Sequence, residues 1–343
     1  MSLYPLKFKP RLVEKIWGGR KLESVLGKPL PRGKMIGESW EIYDFPPGIV
    51  DETGEWVSAE VANGSLAGQT LHQIVAQYGA DLHGDVPLLG GQQFPLLIKY
   101  LDAREDLSLQ VHPTQEYAAA HPGAHLKTEA WYVMEHDPGA KLYRGLAPGA
   151  SETAFRAAIQ NGTVLQHVNA VAVKPGQCFF LPSGTVHALG AGILVAEVQT
   201  PSDTTFRIYD FDRLENGQPR KMHVEEAMQC IDFGGASEPS QRRAHTAGFF
   251  TTVTQLVSSG FFKVEKVRFV EGVEARVPYD QPVIWMMLEG RAEVRVSGLA
   301  EPVSVSRGET ILLPARMKSP TLKTLTDCSW LEVTLPAVTG VVT

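Results

Sequence analysis

One β-strand unit occurs twice in this sequence, in two distant parts of the chain. The segments KPGQCFFLPSG and SRGETILLPAR share a glycine, an apolar run and a proline at the same spacing, from Gly176 to Pro182 and from Gly308 to Pro314. A turn glycine, an apolar strand and a proline at a corner are what a small barrel needs to enter and leave a strand. The repeat therefore predicts two copies of one β-barrel unit.

Strand-forming sequence surrounds both copies. Short β-branched and aromatic runs separated by Gly and Pro extend over residues 126–197 and again over 261–334, a pattern typical of antiparallel sandwiches and jelly rolls. Helix-period patterns occur over residues 69–82, 151–168 and 223–233. We therefore expect a mainly β protein with two jelly-roll β-barrels and a few peripheral helices.

A polar stretch, GGASEPSQRRAHTAG, lies between the two strand-rich regions and has almost nothing to bury. It predicts a linker with a boundary near Ala244. At 343 residues the chain is long enough for one large or two ordinary domains. We expect a first domain over residues 1–244, with N-terminal strands and short helical segments, and a second barrel over residues 245–343.

Composition and charge exclude several classes of protein. The formal net charge is -6 and Lys and Arg are dispersed, which argues against nucleic acid and anionic membranes as partners. The N-terminal sequence lacks the pattern of a secretory signal, and no apolar run approaches the roughly 20 residues that span a bilayer. Cys178, Cys230 and Cys328 show no CxxC spacing, so they indicate neither a disulfide framework nor a thiolate zinc site. We expect a cytoplasmic protein with a small-molecule ligand and no obligate protein partner.

The two copies of the repeat differ at positions that carry chemistry. The residue five positions after the proline of the repeat is His187 in the first copy and Ser319 in the second. Upstream, Glu129 precedes an Ala-Trp pair, whereas Val283 precedes Ile-Trp. An imidazole and a carboxylate are thus present in one copy and absent from the other. This difference predicts that the first barrel binds a metal ion and that the second barrel lacks metal ligands.

The segment LSLQVHPTQEY adds two further candidate ligands. Successive strand residues point to opposite faces, so Gln110 and His112 project from the same face and can join Glu129 and His187 around a single ion. Two imidazoles, a carboxylate and an amide oxygen suit Zn²⁺, and the absence of thiolates fits a catalytic site with an exchangeable water. Each of these residues alone is more often a solvated or hydrogen-bonded side chain. Taken together, and missing from the second copy, they favour one metal site.

Several motifs together carry a resemblance to a known family. They are FPLLIKYLDAREDLSLQVHP, LKTEAWYVM, PSGTVHALGAGILVAEVQTPSDTTFRIYDFDR, IWGGRKL and IGESWEI. In this order they resemble the type I mannose-6-phosphate isomerases in their short bacterial form, which belong to the cupin superfamily. The resemblance extends from about Lys15 to Asp232 and continues less specifically through the C-terminal barrel. It implies cupin-type barrels and zinc bound by Gln110, His112, Glu129 and His187.

The resemblance also implies a reaction, the interconversion of mannose 6-phosphate and fructose 6-phosphate, in which a proton moves between C1 and C2 through a cis-enediol. Charge develops on the sugar oxygens in such a step, so a metal ion and nearby cations would stabilise the transition state. Arg207 matches the arginine that the family uses in catalysis. From the residues alone, a surface cation paired with Asp210 or Asp212 is an equal alternative.

Four further side chains are candidates for contact with a substrate. Lys127 lies two residues before Glu129 and should point toward the metal region, and Lys99 lies in an apolar run where it would be costly to bury unpaired. Salt bridges to neighbouring carboxylates are the alternative for both lysines. Glu197 is flanked by apolar residues, and burial near a metal could tune its pKa for proton transfer. We expect Lys127 and Glu197 to act in catalysis, and Lys99 with Ser108 to bind substrate.

Three tryptophans, Trp17, Trp40 and Trp131, could line a sugar site, but tryptophan in a β-rich domain more often packs in the core. We therefore expect them in the core. No glycine-rich phosphate-binding loop is present in the sequence.

Two other classes of function fit part of the pattern. An iron-dependent cupin oxygenase uses a similar barrel, but a glutamine ligand fits a facial triad less well. A non-catalytic sugar-phosphate-binding barrel is the other class, although such a protein has no need of Arg207, Lys127 and four metal ligands together.

Overall fold

Antiparallel β-strands dominate the computed structural model, which describes residues 3–45, 57–215, 217–234 and 244–336. The strands are β1 (Leu6–Lys7), β2 (Arg11–Gly19), β3 (Ile36–Ile42), β4 (Leu97–Ala103), β5 (Leu109–Val111), β6 (Glu129–His136), β7 (Lys141–Leu146), β8 (Val168–Ala172), β9 (Cys178–Leu181), β10 (His187–Ala188), β11 (Ile193–Gln199), β12 (Phe206–Tyr209), β13 (Leu214–Glu215), β14 (Gln218–Pro219), β15 (His245–Ala247), β16 (Thr251–Ser258), β17 (Lys263–Phe269), β18 (Glu274–Arg276), β19 (Val283–Glu289), β20 (Arg291–Arg295), β21 (Val303–Ser306), β22 (Thr310–Leu313), β23 (Thr321–Thr324) and β24 (Cys328–Thr334). The mainly β prediction is confirmed.

Short helices lie between the strands. They are α1 (Lys21–Ser24), α2 (Leu71–Tyr78), α3 (Ala80–His83), α4 (Gln115–Ala120), α5 (Glu152–Gln160) and α6 (Val224–Cys230), with 3₁₀ turns at Gly64–Leu66 and Val164–His167. All three helix-period patterns of the sequence therefore contain helix. The first is divided at Gly79, whose φ of 47° ends α2. None of the described helices exceeds nine residues, far short of the about 20 that cross a bilayer.

The two halves of the chain repeat the same strand order. In the first half, β4-β11-β6-β9 are neighbours in one sheet and β5-β10-β7-β8 in another. In the second half, β17-β24-β19-β22 and β18-β23-β20-β21 have the corresponding orders. Two facing antiparallel sheets of this kind form a jelly roll. The repeat that the sequence shows is therefore a repeat of paired strands, while the number of closed barrels stays a prediction.

The N-terminal segment joins the sheet of the second half. Strand β1 pairs with β22, with Leu6 opposite Leu312, at the edge of a seven-stranded sheet. The largest hydrophobic cluster accordingly contains residues of both halves, including Leu6, Tyr100 and Trp285. The division into residues 1–244 and 245–343 stays a prediction, and most of the predicted linker lies outside the described residues.

The structure refines the comparison between the two copies of the repeat. His187 lies within β10, whereas Ser319 precedes β23 and has a φ of 47° in the left-handed region. Leu322 on β23 pairs with Ala275, as His187 on β10 pairs with Gln110. Strand β23 therefore takes the place of β10 in the strand order, and β23 contains no histidine.

Close packing between strands constrains the segment that follows His187. A Cβ atom added at Gly190 would lie 1.7 Å from the carbonyl oxygen of Lys141, at the start of β7. That neighbour is backbone in a paired strand, so it cannot move away without disturbing the pairing of β7 with β8, where Lys141 lies opposite Ala172.

We predict that Gly190→Ala lowers the free energy of unfolding by about 3 kcal/mol, at the upper end of the usual cost of overpacking. Gly260→Ala is the matched control, because no heavy atom lies within 4 Å of its added Cβ and its φ lies outside the left-handed region. The midpoint of denaturant unfolding measures both variants. Equal midpoints for the two would show that the loop after His187 accommodates a side chain.

Candidate metal centre and active site

A row of four side chains crosses one face of the six-stranded sheet. In the order β3, β4, β11 and β6 these are Trp40, Lys99, Glu197 and Trp131, each opposite the next in register. Neighbouring strands lie about 4.8 Å apart, so residues of one row are in contact. The indole N–H of Trp131 donates to Glu197 Oε2 at 2.7 Å, and Lys99 Nζ lies 3.4 Å from Glu197 Oε1.

A second row comes from the facing five-stranded sheet. Arg207 on β12, Gln110 on β5 and His187 on β10 are opposite one another in register. The two rows meet where the His187 ring packs edge-on against Trp131, with 5.3 Å between the ring centroids. The polar groups of both sheets are thereby brought into one space between them.

The metal ligands predicted from the sequence lie together in this space. We call these four residues, Gln110, His112, Glu129 and His187, the metal group. Glu129 Oε1 is 3.1 Å from His187 Nε2, and Glu129 Oε2 is 3.4 Å from His112 Nε2. One potential metal-ligand atom from each of these three residues lies within 4.8 Å of the others. Gln110 adds its amide, with Nε2 at 3.3 Å from His187 Nε2. All four side chains are buried.

Several buried polar atoms of this group have no hydrogen-bond partner among the described residues. These are both ring nitrogens of His112 and both carboxylate oxygens of Glu129. Such atoms are costly to bury unless something pairs with them. His187 donates Nδ1–H to the Thr185 carbonyl at 2.8 Å, so its Nε2 carries a lone pair, which accepts from the Gln110 amide at 3.3 Å and is available as a metal ligand. The donor set therefore fits a single divalent cation.

The charge states of the group suit metal binding. Burial lowers the pKa of His112 to about 3, so its imidazole is neutral at physiological pH. Burial alone would raise the pKa of Glu129, but the Lys127 ammonium 3.1 Å away helps to hold it well below its usual range. A neutral imidazole and an ionised carboxylate are the forms that coordinate cations.

Gln110 and Glu129 of this group line a cavity of about 210 Å³. Its walls carry charged side chains of both signs, namely Lys15, Glu38, Lys99, Lys127, Glu129, Glu197, Asp203, Arg207 and Arg220. A larger cavity of about 430 Å³ lies beside His125 and Phe261, but its walls are mainly apolar and include no member of the metal group. The smaller cavity is the candidate active site, because the groups capable of chemistry converge there.

Lys99 is held between two carboxylates. Its Nζ lies 3.5 Å from Glu38 Oε2 and 3.4 Å from Glu197 Oε1, and it sits over the Trp40 ring at 5.2 Å from the centroid. Burial lowers the pKa of Lys99, but these carboxylates outweigh burial and raise it. Burial raises the pKa of Glu197 itself. The salt bridges considered from the sequence are therefore present, and they lie inside the cavity.

Arg207 lines the cavity instead of pairing with Asp210 or Asp212. One guanidinium nitrogen donates to the Lys221 carbonyl at 2.7 Å, and Nε is buried without a hydrogen-bond partner in the described structure. Asp210 is bound instead by Arg213 and Arg220. Burial, together with the nearby positive charge of Arg220, lowers the pKa of Arg207. Its guanidinium thus faces the site with unused donor capacity.

Ser108 and the tryptophans also reach the site. Ser108 donates its hydroxyl to Gln110 Oε1 at 3.3 Å, within the cavity wall. Trp17, Trp40 and Trp131 line the cavity as well, although Trp17 and Trp131 are buried core residues at the same time. The expectation that they pack in the core therefore describes only part of their environment.

Sequence reasoning missed four charged residues of the cavity wall: Lys15, Glu38, Asp203 and Arg220. A signal for Glu38 is present in the segment IGESWEI, because Glu38 and Trp40 share one face of a strand whose ends are apolar. Arg220 follows a short hairpin of β13 and β14, and no strand pattern places it near Arg207.

Comparisons with known proteins identify relatives of this chain. Residues 6–157 match the family model described as phosphomannose isomerase type I, catalytic domain. A mannose-6-phosphate isomerase of Streptococcus mutans is 35% identical over 318 residues, covering 92% of this chain and 94% of that protein. A probable mannose-6-phosphate isomerase of Bacillus subtilis is 34% identical, covering 91% and 94%.

The similarity to known proteins extends to the fold. The crystal structure of a mannose 6-phosphate isomerase from Bacillus subtilis superposes with a TM-score of 0.84 at 31% identity, covering 98% of this chain and 100% of that chain. The match extends beyond the first half to the second set of sheets, so the whole arrangement is shared. Together with the sequence matches, it shows that this chain belongs to the type I phosphomannose isomerase family, within the cupin fold.

Proposed function

We propose that this protein interconverts mannose 6-phosphate and fructose 6-phosphate, a metal-dependent aldose-ketose isomerisation. The observation that carries the proposal is the buried group of His112, Glu129 and His187 at the base of a cavity whose walls hold lysine, arginine and glutamate side chains. Relatives that are 33–35% identical over most of the chain bear the name mannose-6-phosphate isomerase. The substrate is accordingly a small sugar phosphate, and we expect the enzyme to act in the cytoplasm.

We assign one Zn²⁺ per chain to Gln110, His112, Glu129 and His187. Nitrogen and oxygen ligands without thiolates suit zinc, and the cavity beside the group leaves room for an exchangeable ligand. A bound zinc ion would polarise the sugar oxygens and stabilise the negative charge that develops there. The orphaned atoms of His112 and Glu129 support this assignment.

Glu197 is our candidate for the proton-transfer group. Trp131 binds its Oε2, while Oε1 has no hydrogen-bond partner in the described structure and faces Lys99. A carboxylate whose pKa is raised by burial is a stronger base than an exposed one. In the proposed reaction it removes the proton from C2 of the aldose, and the proton then returns to C1 of the enediol.

Cations of the cavity would stabilise the enediol oxygens. Arg207 offers an unpaired Nε–H, and Lys127 is buried beside Glu129. Donors that are already oriented before the reaction stabilise developing charge most effectively. We assign Lys99 and Ser108 to substrate binding, because both line the cavity near this group.

The two alternative functions are less well supported. A non-catalytic sugar-phosphate-binding protein has no need of an oriented base with a free oxygen next to a metal group. The relatives described above carry isomerase names, and none of these names indicates an iron-dependent oxygenase. Neither nucleic acid nor an obligate protein partner is needed for the proposed reaction.

The direct test is an isomerase assay on mannose 6-phosphate, combined with metal analysis, before and after chelation. We expect about one equivalent of zinc, loss of turnover on chelation and recovery when zinc is returned. Tight sugar-phosphate binding without turnover would instead support the binding protein. Oxygen consumption with ferrous iron would support the oxygenase.

We predict that His187→Ala loses both metal and turnover while the protein stays folded, because apolar strands, and not the ion, hold the sheets together. Ser319→Ala is the matched control, since it changes the second copy of the repeat and should leave metal content and rate unchanged. Metal analysis, circular dichroism and the isomerase assay measure these outcomes. A His187→Ala protein with full metal and near-normal rate would contradict the four-ligand assignment.

We predict that Arg207→Ala lowers kcat by about 10²- to 10³-fold with little change in KM, as expected when a donor acts mainly in the transition state. Arg207→Lys should recover part of the rate, because an ammonium lacks the planar fork of a guanidinium. Metal content should not change in either variant. A rise in KM alone would identify Arg207 as a substrate anchor and would move the catalytic role to Lys127 or Glu197.

A further inference from the structure

Glu38 is a buried carboxylate of the cavity that has no part in the metal group. It lies on β3, on the same face as Trp40, and is 8% exposed. Its Oε2 accepts the indole N–H of Trp40 at 2.6 Å, and its Oε1 lies 3.3 Å from Lys15 Nζ. A buried carboxylate at this place requires an explanation, since burying an ion costs free energy.

The charge of Glu38 is fixed by its surroundings. Burial alone would raise its pKa, but Lys99 and Lys15 outweigh burial and lower the pKa to about 2. The carboxylate is therefore ionised throughout the physiological range. It acts on its neighbours as a permanent negative charge.

The distances around Lys99 show what this charge does. Lys99 Nζ is 3.5 Å from Glu38 Oε2 and 3.4 Å from Glu197 Oε1. A charge-assisted hydrogen bond between an ammonium and a carboxylate is typically about 2.7–2.9 Å long. Lys99 is thus shared between two carboxylates and closes fully on neither. Glu197 Oε1 is buried at the cavity wall, and its contact with Lys99 is longer than a full charge-assisted hydrogen bond.

We propose that Glu38 is a positioning residue: its carboxylate draws the Lys99 ammonium away from Glu197 and so leaves Glu197 Oε1 free to reach the substrate. This inference rests on the proposed isomerase function and on the role of Glu197 in it. Without the charge of Glu38, Lys99 closes on Glu197 as a direct ion pair. Lys99 then covers Glu197 Oε1, although every group that contacts substrate is still present.

The register of the sheet explains why this arrangement is available. Trp40 lies directly opposite Lys99, and Glu38 lies opposite Leu101. Glu38 is therefore on the strand next to Lys99 and two residues along that strand from the residue opposite the lysine. Glu197 lies directly opposite Lys99 on the other side. The ammonium therefore has one carboxylate toward each neighbouring strand, and its position depends on the balance between them.

Glu38→Gln tests the proposal, because the amide keeps the size of the side chain and can still accept from Trp40 but has no charge. We expect kcat to fall about 10- to 100-fold, with a smaller change in KM and unchanged zinc content. Glu38→Asp keeps the charge at a shorter reach and should lose less than Glu38→Gln. A greater loss for the aspartate variant than for the glutamine variant would overturn the proposal, since charge would then not be the property that matters.

A double-mutant cycle shows whether Glu38 acts through Lys99. In a Lys99→Met background, adding Glu38→Gln should change kcat by less than about twofold, because the group that it positions is gone. Independent effects that multiply in the double variant would overturn the proposal. Wild-type protein without isomerase activity would instead refute the proposed function itself, so the two failures are distinguishable.

Glu41→Gln is the matched control for the loss of a buried charge. Glu41 lies on the opposite face of the same strand, is 4% exposed and pairs with the buried Lys28 at 2.7 Å. We expect this variant to lose stability comparable to Glu38→Gln but to keep its kcat. An equal fall in kcat for both variants would assign the effect to general destabilisation of β3 and would overturn the proposal.

Discussion

The burial of the Glu129 carboxylate is the constraint on which the site depends. Its side chain is completely removed from solvent, and an ion in that position is unstable without compensation. The Lys127 ammonium supplies part of that compensation at 3.1 Å, and the ring nitrogens of His187 and His112 lie 3.1 and 3.4 Å from the carboxylate oxygens. These partners come from different strands and loops, so the carboxylate is satisfied only when both sheets are in place. A cation bound among them would complete that compensation.

Other buried charges of the six-stranded sheet are also compensated, because charges of opposite sign alternate from one strand to the next. Lys15, Glu38, Lys99 and Glu197 follow one another on strands β2, β3, β4 and β11, each near a group of opposite sign. Strands present their side chains at fixed spacing, so a charge on one strand can set the position of its neighbour on the next. Catalytic groups gain from such an arrangement, because their geometry is set before the substrate arrives.

The second half of the chain keeps the Trp-Glu pair of the site without the counterparts of Lys99 and Glu129. Trp285 lies opposite Glu332 as Trp131 lies opposite Glu197, and the indole donates to the carboxylate in both pairs. The position of Lys99, however, is occupied by Glu265, which lies opposite Glu332. Val283 takes the place of Glu129. Three donors, from Tyr279, Trp285 and Trp330, satisfy Glu332 within the fold. The duplicated sheet therefore explains a Trp-Glu pair in both halves. Among the described residues, the buried group of His112, Glu129 and His187 is found in the first half.

The sequence by itself determined the mainly β class, the repeat, the positions of three helical regions and the candidate metal ligands, but not Lys15, Glu38, Asp203 or Arg220 of the cavity wall. Strand alternation and motif spacing are local properties, and they were sufficient to bring Gln110 and His112 together on one face. The tertiary structure decided which residues of separate strands are opposite one another. The sharing of Lys99 between Glu38 and Glu197, and the approach of Arg220 to Arg207, depend on strand register and on the path of distant loops. Register is fixed when whole faces are buried together, so it cannot be read from any one segment.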